Sequence, residues 1–201
     1  MDLENQKNKE EKVPLSKTLT LYLHDIVYLL CAMLIALLLI FRVVVVSGTS
    51  MNMTLLDGDY LLLLSNTFYQ EPKQGDIIVV SKDSFDNGAA FVKRVIATEG
   101  QTVDIDFDQG IVYVDGVALE ESYINNLTTT SGGMYFPLVV EEGCVFALGD
   151  NRSISKDSRY PDIGQIDSRE ILGKAIFLMM PGTNTVTNPQ PRDFTRIGVM
   201  K

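Results

Sequence analysis

Residues 26–41 carry no charged side chain, and after the single Arg42 the apolar run resumes with four valines at 43–46. Together with the "LYL" just before Asp25, this amounts to about the twenty residues needed to cross a bilayer as a helix. A secretory signal peptide has a shorter apolar region, about 7 to 15 residues, ending in an A-x-A-like site. Here the run ends instead in "VVVVSGTSM". The segment therefore predicts an uncleaved membrane anchor, with the core helix of a soluble protein as the competing assignment. Arg42 near its end is tolerable because a long cation can snorkel to the interface. Lys7, Lys9, Lys12 and Lys17 precede the run, whereas after Arg42 the next cation is Lys73. That asymmetry places the N-terminus in the cytoplasm and the remainder outside the cell membrane.

The formal charge of −9 is unevenly distributed. Residues 1–42 balance five Lys/Arg against five Asp/Glu, leaving twelve against twenty-one beyond them. An acidic outer domain is a poor match for nucleic acid. The two cysteines, Cys31 in the apolar run and Cys144 in a short strand-like run, offer no disulfide framework.

Residues 1–20 are charged and poor in aromatics, as in a disordered tail. Beyond the anchor the signals turn to β structure. "YLLLLS", "DIIVVS" and "FVKRVIA" are short apolar runs bounded by Gly, Asp or Asn. "TVDIDFDQGIVYVDGVAL" alternates Val103, Ile105 and Phe107 with aspartates, with turns expected at Gln109-Gly110 and Asp115-Gly116. "CVFALGD" and "GKAIFLMM" add further strands, with a short helical turn near 167–171. Residues 120–135 are polar and glycine-containing, and predict a loop inserted into the sheet. The expected organisation is a tail over 1–20, an anchor over 21–46 and a mostly β domain over 47–201.

The single histidine, His24, lies on the tail side of the anchor. A Ser-His-Asp triad or a histidine metal site in the outer domain is therefore excluded, and no metal or cofactor is expected. Should a hydroxyl of "GTSM" serve as a nucleophile, its base must be another group, and lysine is the known substitute. Lys93 leads the candidates, because strand alternation flanks it with Phe91 and Val95, and burial there would lower an ammonium pKa toward neutrality. Arg94 beside it cannot give up its proton. Lys73, Lys82, Lys156 and Lys174 stand in polar surroundings. Two plainer assignments compete: Lys93 as an edge-strand lysine that discourages aggregation, and Ser50 as a linker or cap residue.

Three ordered stretches favour the chemical assignment. "SGTSMNMTL" at 47–55, "KRVIATEGQ" at 93–101 and "GDNRSISKDSR" at 149–159 resemble the catalytic boxes of type I signal peptidases, in order and in spacing from an N-terminal anchor. The resemblance extends from the anchor to about Pro181. It implies a coiled antiparallel β catalytic domain and a Ser/Lys dyad, in which Ser50 attacks the scissile carbonyl and Lys93 takes its proton. Ser155 matches a hydroxyl that orients the lysine, Met51 a residue lining the substrate cleft, and Asp150, Arg152, Asp157 and Arg159 residues that brace the site through ion pairs. Backbone N–H groups of the "GTS" turn would stabilise the oxyanion, Ser50 first. Two positions depart from the family pattern. Met53 stands where proline is usual, and Gly48 stands where some members place a serine hydroxyl as second oxyanion donor, leaving the Gly48 backbone or the Thr49 hydroxyl to serve.

The resemblance implies exported preproteins as substrates, cleaved after an Ala-x-Ala site, by an enzyme held in the lipid bilayer. An anchored relative specialised for pilus or surface-protein assembly is the alternative. Repressor-type autoproteases share the Ser-Lys chemistry but are soluble and carry a DNA-binding domain. A tethered β-domain binding partners through its 120–135 loop is the non-enzymatic option.

Overall fold

The computed structural model describes residues 15–183 and 191–200. Most of the expected tail lies outside them, although the helix already begins at Leu15. The chain divides into two units, residues 1–39 and 40–201. In the first, α1 (Leu15–Ile40) is rich in Leu, Ile and Ala and free of Pro and Gly, so nothing interrupts it. Its stretch Leu19–Ile40, 22 residues, is long and apolar enough to cross a membrane, and its large apolar side chains are exposed.

The helix does not run on to residue 46 as expected. At Phe41 the composition turns from Leu-rich to valine-rich and the chain becomes strand β1 (Phe41–Val45). Branching at Cβ crowds a helix and suits a pleated surface. A partner strand, β2 (Tyr60–Ser65), is close by in sequence and pairs with it in the register Arg42↔Leu63. Arg42 thus belongs to the sheet, and Val46 is buried in the core of the second unit.

Seven further strands follow the predicted apolar runs closely: β3 (Ile77–Ser81), β4 (Ala90–Thr98), β5 (Thr102–Asp106), β6 (Ile111–Val114), β7 (Val117–Ala118), β9 (Cys144–Leu148) and β11 (Ile171–Met180), whereas the two-residue strands β8 (Leu138–Val139), β10 (Ile166–Asp167) and β12 (Gly198–Val199) match none of those runs. All pairs are antiparallel. One sheet has the order β1-β2-β11-β3-β4-β9-β10 with β12 on β11, and the other the order β7-β6-β5-β8. The predicted turn near 167–171 is a short 3-10 helix, Ser168–Glu170, closed by a capping box between Asp167 and Glu170.

Three apolar clusters hold the domain. The first joins Val46, Met51, Leu55, Leu61, Leu63, Ile77 and Val79, and so ties residues on either side of Ser50 to β2 and β3. In the second, Val103, Ile105, Val112 and Val114 of the smaller sheet pack on Ile96, Phe146 and Leu148 of the larger one. The third lies around Ile78, Val95, Val145 and Ile163.

The 120–135 loop is pinned rather than free. Glu121 pairs with Arg152, Thr128 Oγ1 accepts from Arg152 Nη1 at 2.6 Å, and Thr130 O accepts from Arg159 Nη1 at 3.0 Å. Gly132 allows a close approach: its φ is +68°, and a Cβ there would stand 2.7 Å from Arg159 O. Gly132→Ala is therefore expected to lower stability by about 2–4 kcal/mol, combining left-handed strain with overpacking. Urea unfolding of the full chain measures it, and a change below about 0.5 kcal/mol would show that the loop yields freely.

Candidate active site

Ser50 lies in a tight turn after β1. The turn is closed by Asn52 N–H donating to Thr49 O at 3.1 Å and Leu55 N–H to Met51 O at 2.9 Å, with Met51 and Leu55 buried beneath it. Opposite, β4 delivers Lys93 from 43 residues away: Nζ lies 3.1 Å from Ser50 Oγ and donates to Val92 O at 3.0 Å. Only 3% of the lysine is exposed, and its Nζ stands 5.4 Å from the centre of the Phe91 ring. Burial lowers its pKa from the ordinary 10.5 to about 8, with Arg159 acting in the same direction and Asp157 and Asp150 opposing.

The 149–159 segment forms the floor. Asn151 donates from its N–H to Ser50 O at 2.9 Å and from Nδ2 to Thr49 O at 3.1 Å, docking the serine turn onto it. Gly149 is needed for this contact, since a Cβ would stand 2.1 Å from Ser155 Oγ and 2.6 Å from Ser50 O. Asp157 and Arg159 form a two-pronged buried pair, Nε–Oδ1 at 2.8 Å and Nη2–Oδ2 at 2.9 Å, and Asp157 also accepts from Gly149 N–H at 3.0 Å. Asp150 pairs in the same forked way with Arg94, at 2.9 and 2.8 Å, and accepts from Thr54 Oγ1. Arg94 in turn stacks on Tyr123, 4.1 Å from the ring centre.

Every residue singled out from the sequence thus falls in one neighbourhood, with two departures in detail. Ser155 is buried but its Oγ makes no hydrogen bond, so the expected bond to Lys93 is not formed; the lysine uses Val92 O instead. Gly48, with φ +91°, does permit the tight turn, but its N–H donates to Asp57 Oδ1 at 2.8 Å and is not free to meet an oxyanion. Among the described residues, neither the Ser50 N–H nor the Thr49 hydroxyl makes a hydrogen bond, so both can take that role. Sequence reasoning missed Arg94, Asn151 and Asp57 as site residues. Arg94 and Asn151 had one signal, adjacency to residues it did select, and Asp57 had none. Among the described residues no group of three His, Cys, Asp or Glu side chains is placed to hold a metal ion.

A cleft of about 300 Å³ opens beside Ser50, lined by Val44, Val46, Met51, Val79, Phe91 and Val92 among others. A larger hollow of about 600 Å³ bordered by Tyr69, Lys73, Asp76 and Lys174 contains none of the groups around Ser50. Among the described residues β1 pairs only with β2, and Ala90 to Lys93 pair only with β3 because β9 joins β4 from Arg94 onward. Two unpaired strand edges therefore flank the cleft.

A β scaffold that sets a desolvated amine against a serine hydroxyl, beside a cleft with open strand edges, is equipped for acyl transfer on an extended peptide. The comparisons specify the class further. The chain belongs to the signal peptidase family, peptidase S26, whose model matches residues 19–180. It is accordingly a serine endopeptidase. Among its relatives, the probable signal peptidase I-1 of a Synechocystis species is 38% identical over 170 residues, covering 79% of this chain and 83% of that protein. Signal peptidase I T of Bacillus subtilis is 32% identical over 189 residues, covering 89% and 95%. A crystal structure of a signal peptidase I from Enterococcus faecalis is 32% identical, with a TM-score of 0.42 over 52% of this chain and 96% of that one.

Proposed function

We propose that this chain is a membrane-anchored endopeptidase that removes signal peptides from exported preproteins after an Ala-x-Ala site, with Ser50 as nucleophile and Lys93 as general base. The observation that carries the proposal is the 3.1 Å contact between Ser50 Oγ and a lysine whose pKa burial has brought to about 8. Neutral Lys93 accepts the Ser50 proton as Oγ attacks the scissile carbonyl. The resulting oxyanion takes hydrogen bonds from the Ser50 N–H and the Thr49 hydroxyl. Lys93, now an ammonium, protonates the departing amine, and later accepts a proton from the water that hydrolyses the acyl-enzyme.

The substrate adds as a strand between β1 and the start of β4, so main-chain hydrogen bonds align the scissile bond independently of sequence. Selection then falls to the cleft wall. Met51, Val79 and Val92 leave room for alanine, and larger side chains are rejected by steric exclusion. Cleavage sites of exported preproteins lie at the membrane surface, and α1 holds the enzyme at that boundary with the N-terminus in the cytoplasm and the β domain outside.

The test is cleavage of detergent-solubilised preproteins by wild type and by Ser50→Ala. Wild type is expected to cut after Ala-x-Ala, to slow by about tenfold or more when either alanine becomes leucine, and Ser50→Ala to be inert. Wild-type protein that leaves every preprotein of a varied panel intact would overturn the proposal.

A further inference from the structure

Beyond β11, residues 193–200 close against the segment that carries Ser50. Gly198 and Val199 pair with Leu178 and Phe177, Met200 packs on the cluster that contains Met51, and its N–H donates to Ile176 O at 3.0 Å. From the turn before β12, Arg196 grips Asp59 with both prongs, Nη1–Oδ1 at 3.0 Å and Nη2–Oδ2 at 2.7 Å, while Nη2 also donates to Thr54 O at 3.2 Å. Asp59 is wholly buried and fully used: it accepts from the N–H groups of Leu56 at 2.8 Å and Gly182 at 2.6 Å, and its carbonyl accepts from Val46 N–H at 2.8 Å. The chain entering the Ser50 turn, at Val46, and the chain leaving it, at Thr54 and Leu56, therefore converge on one ion pair. The Thr54 side chain continues the connection to Asp150 and so to Arg94, the neighbour of Lys93.

We propose that Arg196 is a positioning residue, whose fork on Asp59 and Thr54 O fixes the Ser50 turn in register with Lys93. This rests on the assignment of Ser50 and Lys93 given above. A clamp that served folding alone would alter the melting temperature and leave turnover by the folded enzyme untouched. A clamp that sets the Oγ–Nζ approach lowers kcat at constant KM, because a displacement of about 1 Å can cost about a hundredfold in rate.

The experiment uses the full chain in detergent, comparing wild type, Arg196→Ala and Arg196→Lys. Two readouts are followed: kcat and KM on an Ala-x-Ala preprotein, and the rate at which a fluorophosphonate labels Ser50, which needs no preprotein. Arg196→Ala is expected to lose about 10- to 100-fold in kcat and in labelling rate, with KM within about twofold. Added guanidinium ion should restore part of both, since the arginine head is 20% exposed and its site open to a small cation. Arg196→Lys, a point charge without the fork, should fall between. Rates within about twofold of wild type for Arg196→Ala, whatever its melting temperature, would overturn the inference; so would wild-type rates in Arg196→Lys if the alanine variant does not fold. Labelling that depends on Arg196 in an enzyme that cuts no preprotein would sustain the inference and sink the substrate assignment. Wild type that neither cuts a preprotein nor takes the label would sink both.

Discussion

Lys93→Met should abolish preprotein cleavage and at the same time make the protein more stable. The rate loss is expected to reach about four orders of magnitude, since nucleophile and base act as a unit and the remaining hydrogen-bond donors rescue little. The stability gain has a different origin. Lys93 titrates at about 8 in the fold against an ordinary 10.5, so the unfolded chain binds its proton more tightly. Below pH 8 the native state therefore carries a penalised buried charge, and wild-type stability climbs between pH 8 and 10.5 as the folded lysine sheds it. At pH 7 the variant should be more stable by up to about 3 kcal/mol, an advantage that vanishes toward pH 10.5. The same titration governs activity in the wild type: below pH 8 the rate should fall about tenfold per pH unit. Urea unfolding at pH 7 and 10, with a pH–rate profile from 6 to 10, covers all of this. A flat profile below pH 7.5, or a variant that still cuts, would remove Lys93 as the base.

Asp157→Ala should cost about 3–5 kcal/mol of stability. The substitution leaves the Arg159 guanidinium fully buried without its anion, although its bonds to the carbonyls of Thr130, Arg152 and Ser155 survive. Desolvation that the carboxylate formerly offset then counts in full. The exposed pair Lys156–Asp162 provides the control: Asp162→Ala should cost under about 1 kcal/mol, because water screens the pair, whose side chains are 48% and 40% exposed. Asp157 also raises the Lys93 pKa, so in whatever fraction folds the activity midpoint should move to lower pH. Equal costs for Asp157→Ala and Asp162→Ala in urea unfolding would refute this account of the buried pair.

The strands at 60–65, 77–81 and 144–148 were legible because β-branched and apolar runs between turn residues leave few other ways to bury their side chains. β1 was not. Its valines continue an apolar run, and only pairing with β2 distinguishes a strand from one more helical turn. The same limit hid β8, β10 and β12, each two residues long and defined by its partner rather than by its composition. The inserted loop was found as a loop, but its polar character gave no sign that Arg152 and Arg159 would pin it.

At the site, the sequence by itself limited the chemistry open to the outer domain: with the one histidine in α1, the base for a serine nucleophile must be another group, hydrophobic flanks rank Lys93 first among the lysines, and the resemblance to type I signal peptidases favours it over an edge-strand role. It determined the membrane-length helix as well, since twenty apolar residues in succession encode their environment locally. Tertiary structure alone decided that Lys93 meets Ser50, that Asp150 pairs with Arg94 while Arg152 pairs with Glu121, that Asp57 takes the Gly48 N–H, and that Arg196 returns to hold the serine turn. Periodicity reports which face of one element is buried, over a few residues. Partners separated by 9 to 137 residues, and the burial that moves a pKa, exist only once the chain has folded on itself.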